Sequence, residues 1–165
     1  MPEDAPAIDP AAYRTVLGRF PTGVTVITTT DEGASTGLAI GSFFSISLDP
    51  PLVGFCVGSG SASWQAIRHA GHFTVNVLSD LQGNVSAQFA SKKEDKFEGI
   101  DHHPGVTGDP RINGCLAYMD CTLDADLEGG DHAIVIGRVQ ALELGAEGGP
   151  LVFFKGGYGR FGQLD

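Results

Sequence analysis

The chain has 165 residues, with 20 acidic against 10 basic side chains and a formal net charge of −10. That balance repels nucleic acid and an anionic membrane surface, so neither is expected as a partner, while a local basic patch remains free to hold an anionic ligand. An apolar fraction of 42% with 18% charged residues suits a single folded domain over residues 1–165, and no apolar run approaches the roughly 20 residues that cross a bilayer.

The opening MPEDAPAIDP is acidic and Pro-rich, unlike a secretory leader. Three cysteines, Cys56, Cys115 and Cys121, form no CxxC pair, so reduced thiols in a cytoplasm are expected. Asp9–Pro10 marks a helix start, a capping carboxylate followed by Pro at the first helical position, and the helix runs through AAYRTVLGRF to end near Pro21. VTVITTT (24–30) is a β-branched strand. Residues 36–47 give a second strand, and PLVGFCV (51–57) a third.

SASWQAIRHAG reads as a helix with Ser61 or Ser63 as cap, Trp64 and Ile67 on one face, and Gly71 as the left-handed stop. HFTVNVL (72–78) is a strand, LQGNVSAQFA a helix, SKKEDKFEGI a charged turn or short helix, and residues 101–114 a long loop. CLAYMDCTLDADL and DHAIVIGRVQALEL, joined by EGG, form a hairpin. LVFFKGGYGRF closes the chain as a last strand and a glycine-rich tail. Short strands without a regular βα repeat favour a mainly β antiparallel barrel or sandwich with helical decoration. No GxGxxG follows a strand, which argues against a Rossmann nucleotide site.

Three places carry chemistry. In GSGSAS (58–63), small residues let main-chain N–H groups turn toward one point, and the helix that follows adds its positive end; the motif reads as an anion site or, more plainly, as a serine-capped turn. Lys92, Lys93 and Lys96 gather three of the ten basic residues within five positions, as a phosphate clamp or a solvated charged turn. Asp131 and His132 stand where the hairpin turn enters its second strand; the carboxylate there would set the imidazole tautomer, or the histidine is an ordinary surface residue. The remaining histidines lack a Cys or carboxylate ligand set, so no metal is expected.

FPTGVTVITT, G-x-x-x-x-SFFSISLDPPLV, SxSW, FTVNVL, SAQFASKKEDKF, GDHAIVIG and PLVFFKGGY, in that order from about residue 12 to 160, resemble the flavin reductase family. These are small NAD(P)H:flavin oxidoreductases that supply reduced flavin to two-component monooxygenases. The resemblance implies a split β-barrel of Greek-key, FMN-binding type with a few flanking helices, assembled as a homodimer with flavin near the subunit interface. It implies FMN or FAD as flavin, NADH or NADPH as hydride donor, and a flavin-dependent monooxygenase that receives reduced flavin by diffusion.

By the same resemblance, Gly37, Leu38, Ala39, Gly41 and Ser42 run along the isoalloxazine ring, and Cys56, Val57 and Gly58 lie at the strand end near the ribityl chain. Ala62 and Ser63 match the phosphate-binding turn, while Phe89 and Lys92 match the segment that closes over the phosphate or its adenylate extension. His132 matches the histidine of the GDH motif at the nicotinamide side, and Tyr158 an aromatic near the flavin. The chain departs from many members, which carry Thr and Asn at the positions of Ala39 and Gly41; main-chain N–H groups are expected to take over from those side chains. Two other readings stay open: a flavin-binding module without turnover, and a flavin- or deazaflavin-dependent oxidoreductase on the same barrel.

Overall fold

The computed structural model describes residues 7–164, so the leader question posed by MPEDAP lies outside the described residues. Helix α1 (Pro10–Leu17) begins as its sequence dictates: the N–H groups of Ala11 and Ala12 donate to the Asp9 carboxylate at 3.2 and 3.0 Å, and Pro10 stands where no N–H is needed. It stops at Leu17, short of Pro21, because the N–H groups of Gly18, Arg19 and Phe20 fold back onto the Arg14, Val16 and Leu17 carbonyls.

Strands β1 (Thr22–Gly23) and β2 (Thr25–Asp31) follow. The stretch 36–47 is two strands rather than one, β3 (Ala34–Ile40) and β4 (Phe44–Ser47). Between them the chain leaves the ladder at Gly41–Phe43. The Ser42 hydroxyl accepts from the Cys56 N–H and donates to the Cys56 carbonyl, both at 2.9 Å, which pins the break to β5 (Leu52–Gly58). Helix α2 (Ala62–Ala70) is capped by Ser61, whose hydroxyl accepts from the Trp64 N–H, and it ends on left-handed Gly71. Strand β6 (His72–Val77) and helix α3 (Gly83–Ala90) follow, and the SKKEDKF segment after α3 is a turn.

Residues 101–114 are not a plain loop. They contain the paired strands β7 (His102–Pro104) and β8 (Pro110–Ile112). Buried polar groups stitch this hairpin to the body. Thr28 Oγ1 donates to the Pro110 carbonyl at 2.6 Å, the Ile112 N–H donates to Asn76 Oδ1 at 2.7 Å, and the fully buried Asp109 carboxylate accepts from the Thr30 N–H at 2.9 Å. Strands β9 (Ala117–Gly129) and β10 (His132–Leu144) form the long hairpin. The C-terminal tail is also a strand: β11 (Leu151–Phe154) turns at Lys155–Gly156, both with positive φ, into β12 (Gly157–Arg160).

The molecule is mainly β. Seven strands in the order β3-β2-β6-β9-β10-β5-β4 make the large sheet, and β1-β11-β12 a small one. No ladder joins the edge strands β3 and β4, so the sheet is not closed by hydrogen bonds, although β3 lies against β5. Apolar clusters fill both faces of β2. Ile27 packs with Phe55, Phe73, Trp64 and Ile67 on the α2 side, and Val24 and Val26 pack with Val85, Phe89 and Leu151 on the α3 side. β3 therefore emerges as an exposed edge between two helices.

Candidate functional site

The two helices meet over β3 at Gly37. From α2, Ser63 Oγ donates to the Gly37 carbonyl at 2.9 Å and shares a 3.0 Å hydrogen bond with Thr36 Oγ1. From α3, Phe89 presses so close that a Cβ on residue 37 would lie 2.9 Å from its ring and 2.6 Å from the Ile27 carbonyl. The missing side chain at Gly37 thus serves helix packing. A Cβ on Gly41 would likewise stand 2.9 Å from Thr22 Oγ1.

A groove of about 690 Å³ runs over this edge. Thr36, Gly37, Leu38 and Ala39 form its floor, Gly60 to Ser63 one wall, and Phe89 to Glu94 with Lys96 the other. A hollow of about 160 Å³ shares Ala39 and Ala90 with the groove and adds Gly41, Ser86, Phe153 and Tyr158. A third hollow, of about 400 Å³, shares Gly41 and continues along Ser42, Phe43 and Phe44 to Phe20. Together they form one trough that follows residues 36–44.

The two ends of the trough differ in chemistry. At the α2 end the N–H groups of Ala62 and Ser63 have no hydrogen-bond partner among the described residues, and the helix dipole adds partial positive charge there. The three lysines play three different parts. The Lys96 ammonium donates to the Phe89 carbonyl at 3.3 Å and to the Ser91 carbonyl, covering the negative end of α3, and burial pushes its pKa down. Lys93 pairs with Glu98. Lys92 has no ion pair or hydrogen bond among the described residues and faces the groove. At the far end the lining is aromatic, and Phe153 and Tyr158 stack edge-on at 5.7 Å.

The fold brings Gly37, Leu38, Ala39, Ala62, Ser63, Phe89 and Lys92 into the groove, and Gly41, Ser42 and Tyr158 into the two hollows that extend it. It does not bring the rest of the sequence-derived set with them. Cys56 is half-buried, with its main chain held by Ser42, and Val57 points into the core at 3% exposure. Gly58 pairs in register with His132, which opens onto a separate hollow of about 320 Å³ with Ser59, Gln65 and Arg68. The Ser59 N–H donates to the Asp131 carbonyl at 3.1 Å, so His132 stands behind the 58–63 turn. Its Nδ1 lies 2.7 Å from the Asp131 carboxylate, and that hydrogen bond holds the Asp131 carboxyl below its ordinary value. Sequence reasoning missed Thr36, Ser86 and Phe153. Ser86 sits three residues before Phe89 and so shares its helix face, a signal the pattern did carry.

The chain is a mainly β domain with a trough along its edge strand β3, lined by Lys92 and a helix N-terminus at one end and by Phe153 and Tyr158 at the other. The family model of the flavin reductase like domain matches residues 17–162, and the chain belongs to that family. It is 49% identical to a flavin reductase of Pseudomonas putida over 96% of this chain and 94% of that protein. It is 51% identical to HsaB, the reductase subunit of a flavin-dependent monooxygenase of Mycobacterium tuberculosis, over 92% of this chain and 82% of the relative. Among solved structures, the NADH:FAD oxidoreductase SgcE6 of Streptomyces globisporus, in complex with NAD and FAD fragments, superposes with a TM-score of 0.88 at 35% identity, covering 96% of this chain and 98% of that one. The activity is that of a flavin reductase, an oxidoreductase of the kind that forms the reductase components of two-component monooxygenases.

Proposed function

We propose that the chain uses NADH or NADPH to reduce FMN or FAD and releases the reduced flavin to a flavin-dependent monooxygenase. The observation that carries this reading is the separation of chemistry along one trough: main-chain donors and Lys92 at one end, Phe153 and Tyr158 at the other. Its main groove falls in the usual volume range of cofactor sites, about 300–1,000 Å³. Flavin, when bound there, would supply a ring able to take a hydride from reduced nicotinamide, leaving oxidised nicotinamide and reduced flavin as the products released.

The protein's own part is binding and alignment. The Ala62 and Ser63 N–H groups and the Lys92 ammonium hold the phosphate. Gly37, Leu38, Ala39, Gly41 and Ser42 offer main chain beneath the ribityl chain and ring, on a strand edge that has no ladder partner. Cys56, Val57 and Gly58 support that floor from β5, and Phe89 closes it from the α3 wall beside Gly37. Tyr158 walls off the ring end. His132, the register partner of Gly58, opens onto a separate hollow behind the 58–63 turn, from which it would reach the phosphates of the nicotinamide dinucleotide rather than its ring. Residues that align the two rings would contribute through orientation, an effect that reaches on the order of 7–11 kcal/mol in well-aligned systems.

The open sheet is read here as the family's split barrel. α1 buries none of its residues, Tyr13, Val16, Leu17 and Phe20 are exposed, and Phe20 lines the third hollow, which supports a homodimer that covers this apolar surface. Three free cysteines support a reducing cytoplasm. The test is nicotinamide oxidation by the purified chain with each flavin in turn. Oxidation that requires added FMN or FAD supports the reading. Flavin binding without oxidation makes the chain a binding module, and no flavin binding removes the trough as the site.

A further inference from the structure

We propose that Ser86 is a positioning residue: its hydrogen bond to Tyr158 sets the aromatic wall at the ring end of the trough. The proposal rests on the flavin reading above. Ser86 lies on α3 and is 2% exposed, while its hydroxyl is 2.8 Å from the Tyr158 hydroxyl. Tyr158 is 46% exposed and sits on β12, whose four residues are all exposed, so its ring is held by the edge-on contact with Phe153 at 5.7 Å and an approach to Gly83 of α3 rather than by a buried core. Among the described residues, β12 has two side-chain tethers to the body: Tyr158 to Ser86, and Arg160 to Asp80 at 3.1 Å. The Arg160 side chain is 70% exposed, and exposed ion pairs contribute little. Beyond its ladder to β11 and the apolar contacts of its ring, β12 has in Ser86 its one buried polar anchor among the described residues. Ser86 and Tyr158 line one hollow of about 160 Å³ with Ala39 and Gly41, so a shift of the ring changes the width of the slot directly.

The two single variants break the bond from opposite sides: Ser86→Ala leaves the orphaned hydroxyl on a half-exposed residue, whereas Tyr158→Phe leaves the buried Ser86 hydroxyl unpaired and is expected to lower the Tm more. What is lost is the fixed ring, and with it the fit of a flat ligand. The test compares Ser86→Ala, Tyr158→Phe and the double variant in steady-state kinetics, with thermal unfolding alongside. Each single variant is expected to raise the flavin KM about 3- to 10-fold, the span of one lost neutral hydrogen bond, and to leave the nicotinamide KM unchanged. The double variant is expected to be no worse than either single one, since both remove the same bond. A flavin KM within twofold of the parent in both singles, or effects that add in the double, overturns the positioning role. So does a lower Tm with unchanged KM, which marks Ser86 as structural only. Failure of the parent chain to bind flavin overturns this proposal together with the functional reading; normal parent binding with unaltered variants overturns this proposal alone.

Discussion

Replacing Lys92 with Ala removes the one cation of the 92–96 cluster that has no partner among the described residues. The size of the effect follows from its exposure. Two unit charges about 4 Å apart attract by roughly 4 kcal/mol at a surface-like dielectric and by roughly 1 kcal/mol in water. Lys92 is exposed on the groove rim, so its attraction for a phosphate lies near the lower figure, and about 1 kcal/mol corresponds to about a fivefold change in Kd. The assay is a fluorescence titration with FMN, FAD and riboflavin at two salt concentrations. Lys92→Ala is expected to weaken FMN and FAD about fivefold and leave riboflavin, which has no phosphate, unchanged. The difference is expected to shrink at high salt, where the screening length falls from about 10 Å at 0.1 M to about 3 Å at 1 M. Lys93, already paired with Glu98, is expected to tolerate Ala with little change, and Lys96→Ala to lower the Tm by uncapping α3. An equal loss for riboflavin, or no loss for any of the three, refutes a phosphate contact at Lys92.

Gly37→Ala is expected to cost about 1–3 kcal/mol by overpacking, since a carbonyl and an aromatic ring both stand inside contact distance; an unchanged urea midpoint contradicts this. Arg111→Met strands the fully buried Asp120, which accepts from Arg111 at 2.7 Å and Thr74 at 2.6 Å, and is expected to cost about 3–5 kcal/mol. Burial alone pushes the Asp120 carboxyl up, but hydrogen bonds from Arg111, Thr74 and the Val106 N–H outweigh it and hold the group below its ordinary value. Its contribution is therefore complete above the ordinary carboxylate range and is lost as pH falls through the folded value, so Asp120→Asn is expected to flatten the acid limb of stability against pH. Burial pushes Cys115 and Cys121 up to about 12, so brief alkylation at neutral pH is expected to label the half-buried Cys56 alone, as mass spectrometry can check. His132→Ala is expected to raise the nicotinamide KM several-fold, by about 1 kcal/mol of lost contact, with flavin Kd held; the reverse pattern in stopped-flow titration removes its assigned role.

Local signals were strongest where one or two neighbouring residues settle the geometry. Asp9–Pro10 starts α1, Ser61 and Gly71 bound α2, and the β-branched VTVITTT becomes β2, because caps, positive φ and χ1 restriction act within a few residues. The hidden parts depend on distant partners. Residues 36–47 read as one strand because nothing local shows that the Ser42 hydroxyl grips Cys56, fourteen positions on. Residues 101–114 read as loop because their hairpin is held by Thr28, Thr30 and Asn76.

The amino-acid sequence by itself carried the mainly β class, the motif order of a flavin reductase and a lysine cluster; the resemblance it supports named Gly37 to Ala39 and Ala62–Ser63, which the fold brings to one groove. Only the tertiary structure decided which lysine is unpaired among the described residues, that the gap at Gly37 belongs to Phe89, that His132 stands behind the turn rather than in the trough, and that Ser86 reaches Tyr158. Composition and order determine which groups a chain owns. Whether a buried or half-buried group is already satisfied by another part of the chain depends on contacts between residues far apart in sequence, and that competition decides what remains free to bind.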